Sequence, residues 1–299
     1  MAQNTGAMDP ALFSRAELLG ADDPAAGEGF SAIPEPEPLT SHGPAIVLSM
    51  CNQKGGVGKT TTAVNLAASL AALDRRVLLV DLDPQGHATM GSGVDKHELD
   101  GSVLDVLLGD RGATEVILDC PEAGYALLPG NGDLTAAEVA LLDREAGRER
   151  CLERALTDVA GEYDVVLIDC PPSLNMLTVN GLTAAHGVLI PLQCEFYALE
   201  GLSALLDTVE QIKDSVNPGL EVFGILRTMF DARNSLTRDV TKQLRDYFGD
   251  TLLKATIPRN VRVAEAPSHG LPVTKYARFS RGSQAHRVLA KELIRRLSL

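Results

Sequence analysis

Residues 45–62 read AIVLSMCNQKGGVGKTTT, an apolar run followed by a glycine-rich loop and the start of a helical pattern. The run has the length of a strand and is apolar almost throughout, which is typical of a strand buried on both faces of a parallel sheet. Glycines at positions 55, 56 and 58 allow the loop to curl so that its backbone N–H groups converge on an anion. A strand, such a loop and a helix, in this order, predict a phosphate-binding loop.

Apolar runs and helical patterns alternate along the rest of the chain. We predict further strands over residues 77–81, 165–169, 187–191, 222–226 and 252–257, and helices over 60–73, 149–160, 203–215, 237–248 and 284–297. Apolar strands separated by helices form a parallel sheet with helices on both faces, and ligands bind at the carboxyl ends of its strands. Residues 45–299 are therefore expected to form a doubly wound, mostly parallel α/β domain of the P-loop NTPase type.

Residues 1–44 differ in composition from this domain. They are rich in Ala, Gly and Pro, and seven acidic residues face a single basic one, Arg15. Such a composition cannot build a packed core, so we predict a disordered acidic extension. Residues 11–19 have the pattern of a short amphipathic helix that could dock a partner, although a flexible tail is the simpler interpretation.

The composition narrows the class of function. The net charge of −13 argues against nucleic-acid binding, but residues 227–299 hold 15 Lys and Arg against 6 Asp and Glu. This asymmetry fits either a polyanion-binding face or a basic region that balances acidic neighbours. Aromatics make up 4% and Trp is absent, which disfavours a stacking platform for single-stranded nucleic acid.

The cysteines and the hydropathy pattern indicate the compartment. Five cysteines are scattered without C-x-x-C spacing, which predicts reduced thiols and neither a disulfide framework nor a zinc site. We find no secretory signal and no apolar run long enough to span a membrane. The chain is expected to be cytoplasmic, with no stable membrane association.

The loop residues have distinct expected roles. Lys59 is placed to reach the β- and γ-phosphates, the Thr60 hydroxyl to ligate Mg²⁺, and Thr61 to donate near the α-phosphate. The common pattern has glycine at position 53, where this chain has Gln53 followed by an additional lysine, Lys54. The predicted nucleotide-binding residues of the loop are Lys54, Gly55, Gly56, Val57, Gly58, Lys59, Thr60 and Thr61.

Three aspartates follow or end predicted strands. Asp169 ends the strand 165–169, a position from which a carboxylate supports Mg²⁺ through water. Asp81 ends the strand 77–81 and is expected to hold the loop or to stand in the outer shell of the metal. Asp83, two residues further, could orient the attacking water. Each of these aspartates could instead cap a helix or form a turn, but their place beside a phosphate loop favours function.

Several blocks together resemble the ParA/Soj chromosome-partitioning ATPases. KGGVGKT at 54–60, DLDPQG at 81–86 and VLIDCPPS at 166–173 are similar to the deviant Walker-A motif, switch I and switch II of that family. The similarity continues through QCEFYALEG, TMFDAR, IPRNVR and EAPSHG, at 193–201, 228–233, 257–262 and 265–270. It spans residues 45–299 and assigns no role to the extension.

The resemblance implies a mechanism and a set of partners. Lys54 matches the signature lysine that crosses a dimer interface to the partner's phosphates, Asp83 the residue needed for hydrolysis, and Pro258 and Asn260 the stretch against the adenine. The family uses ATP and Mg²⁺, dimerises with ATP, binds double-stranded DNA without sequence preference, and is stimulated by a ParB-type protein. These properties imply slow intrinsic hydrolysis and a nucleoid-associated location. Our candidates for DNA contacts are Arg259, Arg262, Lys275, Arg278, Arg281, Lys242 and Arg245.

Other functions remain possible. A MinD-like positioning ATPase would use residues 288–299 as a membrane-facing helix, although the same pattern is expected of a last helix packed on the sheet. A ParA-like ATPase that positions another cargo would share the chemistry and cannot be separated here. A metal-cluster reductase like the nitrogenase iron protein is disfavoured, because none of the five cysteines lies in a block that resembles its ligand motifs.

Overall fold

The computed structural model describes residues 34–39, 41–144 and 146–299. Most of the extension predicted to be disordered, residues 1–33 and 40, lies outside the described residues. The described part contains an eight-stranded sheet. Its strands are β1 (Ile46–Met50), β2 (Val77–Asp81), β3 (Leu118–Cys120), β4 (Tyr125–Leu128), β5 (Val165–Asp169), β6 (Gly187–Gln193), β7 (Glu221–Phe230) and β8 (Leu252–Pro258).

The sheet is parallel except at one edge. The strand order is β3-β4-β2-β5-β1-β6-β7-β8, and only β3 runs antiparallel to its neighbour. The registers of β1 with β5 and of β2 with β5 place Met50, Asp169 and Asp81 side by side. The carboxyl ends of the three central strands therefore meet at one edge, where a doubly wound sheet binds its ligand. The predicted fold class is confirmed.

Helices cover both faces of the sheet. They are α1 (Lys59–Ala71), α2 (His87–Gly91), α3 (Val103–Leu108), α4 (Ala113–Val116), α5 (Leu134–Leu142), α6 (Cys151–Thr157), α7 (Met176–Ala184), α8 (Ala198–Ser215), α9 (Ser235–Phe248), α10 (Val261–Glu265), α11 (Val273–Tyr276) and α12 (Arg281–Leu297). Two apolar clusters form the core, one on each face. The first holds residues of α3, α5, α6, α7, α8 and α9, and the second those of α1 and α12.

The last helix packs on the sheet, as the commoner of the two interpretations predicted. Leu289, Leu293 and Ile294 are buried in the cluster that α12 shares with α1 and β8. Asn65 of α1 also accepts a hydrogen bond at 2.6 Å from the backbone N–H of Val273, at the start of α11. The apolar residues of α12 are therefore part of the core.

The sequence prediction missed the nine-residue helices α5 and α7 and the shorter elements. The edge strand β3 has three residues and its neighbour β4 has four, and α2, α4, α10 and α11 have four or five. Such segments are too short for a period to be recognised. The helix predicted over 149–160 is shorter, Cys151–Thr157, with 3₁₀ turns at Arg148–Arg150 and Ala160–Glu162.

The described residues before β1 contact the domain. The Nδ1 atom of His42 lies 2.7 Å from a carboxylate oxygen of the buried Asp164. The buried Arg75 donates to the carbonyls of Glu37, at 2.9 Å, and of Leu299, at 2.8 Å. Residues 34–39 thus lie against the domain close to the end of α12.

The described part of the chain also shows the character of its helices and the state of its cysteines. Among the described helices, none combines the length and the apolar character that crossing a bilayer requires. All five cysteines are free and buried.

Candidate nucleotide-binding site

The glycine-rich loop joins β1 to α1, and the space in front of its backbone is unoccupied by other described residues. Gly56 and Gly58 have φ of 74° and 89°, in the left-handed region that favours glycine. A Cβ atom added at Gly55 or Gly56 would meet no other residue within 4 Å, so the space in front of the loop is free. Helix α1 begins at Lys59, directly after Gly58, and directs its N-terminal N–H groups toward that space.

Strands β6 and β7, which lie on the side of β1 opposite to β5, hold the loop in place. The Asn52 amide donates to the carbonyl of Pro191 in β6 at 2.7 Å. The Thr228 hydroxyl of β7 donates to the carbonyl of Val57 at 2.7 Å. The side chain of Gln193, at the end of β6, reaches the carbonyl of Gly56 at 3.3 Å. The anchoring roles of Asn52, Gln193 and Thr228 were not predicted.

The two lysines of the loop lie in different environments. Lys59 is buried, with 7% of its surface exposed, at the first position of α1. Lys54 is exposed on the outer side of the loop and pairs with the carboxylate of Glu195, just after β6. The buried lysine suits the phosphates of the nucleotide bound to its own loop. The exposed lysine is placed to contact something outside the chain.

Asp169 is a buried carboxylate that lacks a well-formed hydrogen bond. It ends β5 between β1 and β2, and among the described residues no group lies within hydrogen-bond geometry of either oxygen, although the Thr60 hydroxyl is near enough to act as a weak donor. Burial, and next the neighbouring Asp81, raise its pKa well above the ordinary value, while the Thr60 hydroxyl and the Lys59 ammonium oppose that shift. A carboxylate held this way is stabilised by a cation. The pair of Asp169 and Thr60 therefore fits Mg²⁺.

Asp81, unlike Asp169, is held by hydrogen bonds to the protein. Its Oδ2 atom accepts hydrogen bonds from the backbone N–H and the hydroxyl of Thr89, both at 2.7 Å. The same hydroxyl accepts a bond from the backbone N–H of Gly130 at 2.9 Å. Burial, and also the charge of Asp83, raise the pKa of Asp81 to about 7 against the hydrogen bonds from Thr89. Asp81 thus holds α2 and the loop after β4 at the edge of the site.

Asp83 lies in the turn that follows β2. It is buried, and its carboxylate accepts the backbone N–H of Gln85 at 2.9 Å. The backbone N–H of Gly86 donates to the carbonyl of Asp83 at 2.9 Å, which closes the turn. The turn that the sequence offered as the alternative to a functional role is therefore present. One oxygen of Asp83 serves the turn, and the side chain remains next to Asp81.

A few protein oxygens alone do not make a complete metal site. No group of three or more His, Cys, Asp or Glu side chains is arranged around a common centre in the described ranges. Mg²⁺ in nucleotide sites usually takes one or two protein ligands, phosphate oxygens and water. The residues near the loop agree with this mode of binding.

Pro258 and Asn260 lie where β8 passes into α10. Pro258 is the last residue of β8. Asn260 is the N-cap of α10, where its side-chain oxygen accepts the backbone N–H of Val263 at 3.3 Å. The carbonyl groups of this stretch are thus set at the carboxyl end of an outer strand of the sheet.

The predicted DNA contacts form two groups. Arg259, Arg262, Lys275, Arg278 and Arg281 lie around the short helices α10 and α11 and the start of α12. Lys242 and Arg245 lie on α9, whose buried residues belong to the core cluster on the opposite face of the sheet. Arg262 pairs with Glu265 at 2.8 Å, which reduces its free charge. The structure therefore brings five of the seven residues together and separates the two on α9.

Two exposed aromatic rings adjoin Lys54. Phe196 and Tyr197 follow Glu195 and are 65% and 71% exposed. Their rings pack edge to face, with centroids 5.1 Å apart. Large exposed aromatics beside a charged residue are typical of protein interfaces.

The comparisons with known proteins agree with this geometry. A family model for an AAA domain matches residues 45–222. The chromosome partitioning protein ParA of Caulobacter vibrioides (strain NA1000 / CB15N) is 48% identical over 258 residues, which cover 86% of this chain and 96% of that protein. The sporulation initiation inhibitor protein Soj of Bacillus subtilis (strain 168) is 47% identical over 247 residues, 83% of this chain and 97% of Soj.

A solved structure matches at the level of the backbone. Cobyrinic acid a,c-diamide synthase from Mycobacterium smegmatis with bound ADP and magnesium has a TM-score of 0.75 and 43% identity, and the match covers 85% of this chain and 96% of that one. The fold and the loop define a P-loop nucleotide-binding protein. Within that class, the chain belongs to the ParA/Soj family of partitioning ATPases.

Proposed function

We propose that this chain is a DNA-segregation ATPase that couples binding and hydrolysis of ATP with Mg²⁺ to reversible binding of non-specific DNA. The observation that carries the proposal is the buried, unpartnered carboxylate of Asp169 beside Thr60, under an open glycine-rich loop that begins α1. This arrangement calls for a cation and a polyphosphate together. The relatives named for chromosome partitioning supply the biological context.

The residues of the site have the following proposed roles. Lys59 and the N–H groups at the start of α1 hold the β- and γ-phosphates, and Thr60 ligates Mg²⁺ directly. Asp169, with Asp81 further out, holds the metal through water. Asp83 orients the attacking water, and Thr61 donates near the α-phosphate. The stretch with Pro258 and Asn260 lies against the adenine.

The proposed active state is a homodimer. Lys54 is exposed, and the exposed Phe196 and Tyr197 extend the same surface. In the dimer Lys54 of one protomer stabilises the charge that develops on the phosphates of the other, as an arginine finger does. Because one water-orienting aspartate and one lysine in trans leave the site incomplete, we expect slow intrinsic turnover that a ParB-type partner accelerates.

DNA binding is proposed to follow dimerisation. The five basic residues around α10, α11 and the start of α12 form one patch, and two protomers would join two such patches. Contacts to phosphates carry no sequence information and weaken with salt. The protein would then be cytoplasmic and associated with the nucleoid. The MinD-like alternative loses support, because the apolar residues of α12 that would face a membrane are buried in the core.

Two substitutions test the nucleotide part of the proposal. Lys59→Ala should abolish binding of ATP, measured with a fluorescent analogue. Lys54→Ala should bind ATP but fail to form the ATP-dependent dimer in sedimentation, because its lysine acts on the partner. Lys213→Ala on α8 serves as the matched control and should behave as the unmodified chain. A Lys54→Ala variant that still dimerises and hydrolyses ATP normally would refute the role in trans.

A further inference from the structure

Helix α12 carries a continuous basic stripe along its exposed side. Arg281, Gln284, Arg287, Lys291 and Arg295 follow one another at intervals of three or four residues and so share one face of the helix. Four of these five side chains are exposed, and Lys291 is partly buried. At 1.5 Å per residue the stripe is about 21 Å long, a length of duplex axis over which one DNA strand carries about six phosphates. We call these five residues the α12 stripe.

No carboxylate of α12 lies in the stripe. The one acidic residue of the helix, Glu292, is buried and accepts the backbone N–H groups of Lys254, at 2.9 Å, and Ala255, at 2.8 Å. It also pairs with Arg296 at 2.9 Å. Glu292 therefore holds α12 on β8 and leaves the charge of the stripe uncompensated by its own helix.

A glutamate from the acidic extension occupies the middle of the stripe. Glu35 lies 2.8 Å from the ammonium of Lys291 and 3.2 Å from the guanidinium of Arg287. The hydrogen bond from Lys291, together with Arg287, holds the pKa of Glu35 below its usual range. Within the described residues, Arg281 and Arg295 at the two ends of the stripe form no ion pair with a carboxylate.

The path of the chain keeps residues 34–39 next to this surface. The Arg75 guanidinium donates both to the carbonyl of Glu37 and to that of Leu299, the last residue, which fixes residues 34–39 close to the end of α12. Residues 1–33, which precede them, contain five acidic residues and one basic residue. Glu35 therefore brings to the stripe a charge opposite to that of the stripe, and the sequence that precedes it is acidic as well.

We infer that the α12 stripe is a phosphate-binding surface for duplex DNA and that Glu35, in the described segment 34–39, competes with DNA for it. This inference rests on the DNA-binding function proposed above and extends the patch at Arg281 along the whole helix. Glu35 pairs with two of the four cations and offsets one unit of their charge, so it lowers the affinity of the stripe without abolishing it. Glu35 thereby makes DNA binding weaker and more dependent on the number of patches joined in the dimer.

One pair of variants tests the competition. Glu35→Gln removes the carboxylate, and Glu37→Gln is the matched control, because the exposed side chain of Glu37 forms no ion pair with a described residue and its backbone contact is kept. With ATP and low salt, Glu35→Gln should lower the Kd for a non-specific duplex by about two- to fivefold, the range expected for exposed ion pairs. Glu37→Gln should leave the Kd unchanged.

A double-mutant cycle locates the effect. Lys291→Gln should weaken DNA binding little in the unmodified chain, where Glu35 holds the ammonium, and several times more in the Glu35→Gln background. Strictly additive effects would overturn the competition. Equal Kd values for Glu35→Gln and the unmodified chain, where the latter does bind DNA, would overturn this inference alone. Loss of ATP-dependent DNA binding in every variant would overturn the proposed function as well.

The contact itself has a separate readout. A zero-length carbodiimide reagent should cross-link the Glu35 carboxylate to the Lys291 amine in the full chain, detected by peptide mass spectrometry. ATP with duplex DNA should suppress the cross-link, and vesicles of anionic lipid should not. Absence of the cross-link, its persistence under saturating DNA, or its suppression by vesicles alone would each contradict the inference.

Discussion

At the scale of single residues, the site is defined by groups that the protein leaves without internal partners. Asp169 is fully buried with two free oxygens, and Lys59 is buried beside it at the start of α1. Asp81, one strand away, is instead satisfied by Thr89. Two aspartates at equivalent strand ends thus have different environments, and the difference lies in their hydrogen bonds. The unpartnered one is the residue that a metal would stabilise.

Asp169→Asn should reduce the stabilisation of the protein by Mg²⁺ with ATP. The nucleotide-free chain should keep or gain stability, because the substitution removes a buried ionisable group without hydrogen bonds. Mg²⁺ with ATP should stabilise the unmodified chain by about 2.7 kcal/mol at a hundredfold excess over Kd, and the variant much less. Thermal unfolding with and without Mg²⁺ and ATP measures both effects. Asp119→Asn, at an exposed position of β3, is the control, and an equal response of Asp169→Asn and the control would contradict the role of Asp169.

At the scale of elements, close backbone packing positions the strands around the site. A Cβ atom at Gly130, just after β4, would lie 2.3 Å from the backbone carbonyl oxygen of Asp81. The same glycine donates its N–H to Thr89, which holds Asp81. This approach of two strand ends leaves no room for a side chain, and it fixes the carboxylate at the edge of the site.

Gly130→Ala should therefore destabilise the domain by about 2 kcal/mol or more, because a backbone atom cannot move aside as a side chain can. Gly132→Ala, two residues on, meets nothing within 4 Å and should change the free energy of unfolding by less than about 0.5 kcal/mol. Urea unfolding of the two variants provides the comparison. Equal stability of the two would show that the strand ends are less tightly packed than described.

Helix α12 contains a buried histidine, His286, which makes the free energy of unfolding of the domain depend on pH. Burial lowers the pKa of His286 to about 4, against a hydrogen bond with the carbonyl of Gly282 at 2.8 Å. In the unfolded chain the histidine binds a proton as the pH falls through about 6.5, whereas in the folded chain it stays neutral down to about pH 4. The neutral histidine therefore contributes its full stability above pH 6.5. That contribution is lost as the pH falls toward 4, and the loss amounts to about 3 kcal/mol.

His286→Leu should remove this part of the pH dependence. Unfolding by urea at pH 4.5, 6 and 7.5 should show a smaller decline for the variant than for the unmodified chain. His87→Gln, at an exposed histidine of α2, should keep the original decline. A decline of the same size in His286→Leu would mean that other groups are responsible.

The positions of several elements could be predicted from the sequence, but the long-range contacts between them could not. The strand at 165–169 was predicted with its observed bounds, and the loop and its lysines follow from local spacing alone. The anchoring of the loop by Thr228 could not be predicted, because that hydrogen bond joins residues 171 positions apart. The hydrogen bonds that distinguish Asp81 from Asp169 likewise depend on Thr89, in a helix of five residues that no period reveals.

At the scale of the whole molecule, opposite charges occupy different regions. The net charge is −13, yet the basic residues concentrate toward the C-terminal end. Five predicted DNA contacts lie together around α10, α11 and α12, whereas Lys242 and Arg245 lie across the sheet. A surface of this kind would bind polyanions only weakly in one copy. Nucleotide-driven pairing of two copies would double the number of phosphate contacts and so act as a switch.

The most direct test of the account is the binding of fluorescent non-specific duplex DNA and of anionic vesicles, with ATP or ADP, by the unmodified chain and by Lys54→Ala. We expect binding of DNA with ATP only, absent in Lys54→Ala, with log Kd rising linearly with log salt concentration at about 0.9 per phosphate contacted. Vesicles should not bind. Binding of vesicles with ATP but not of DNA, or equal binding of DNA with ADP and ATP, would contradict a nucleotide-gated DNA-segregation ATPase.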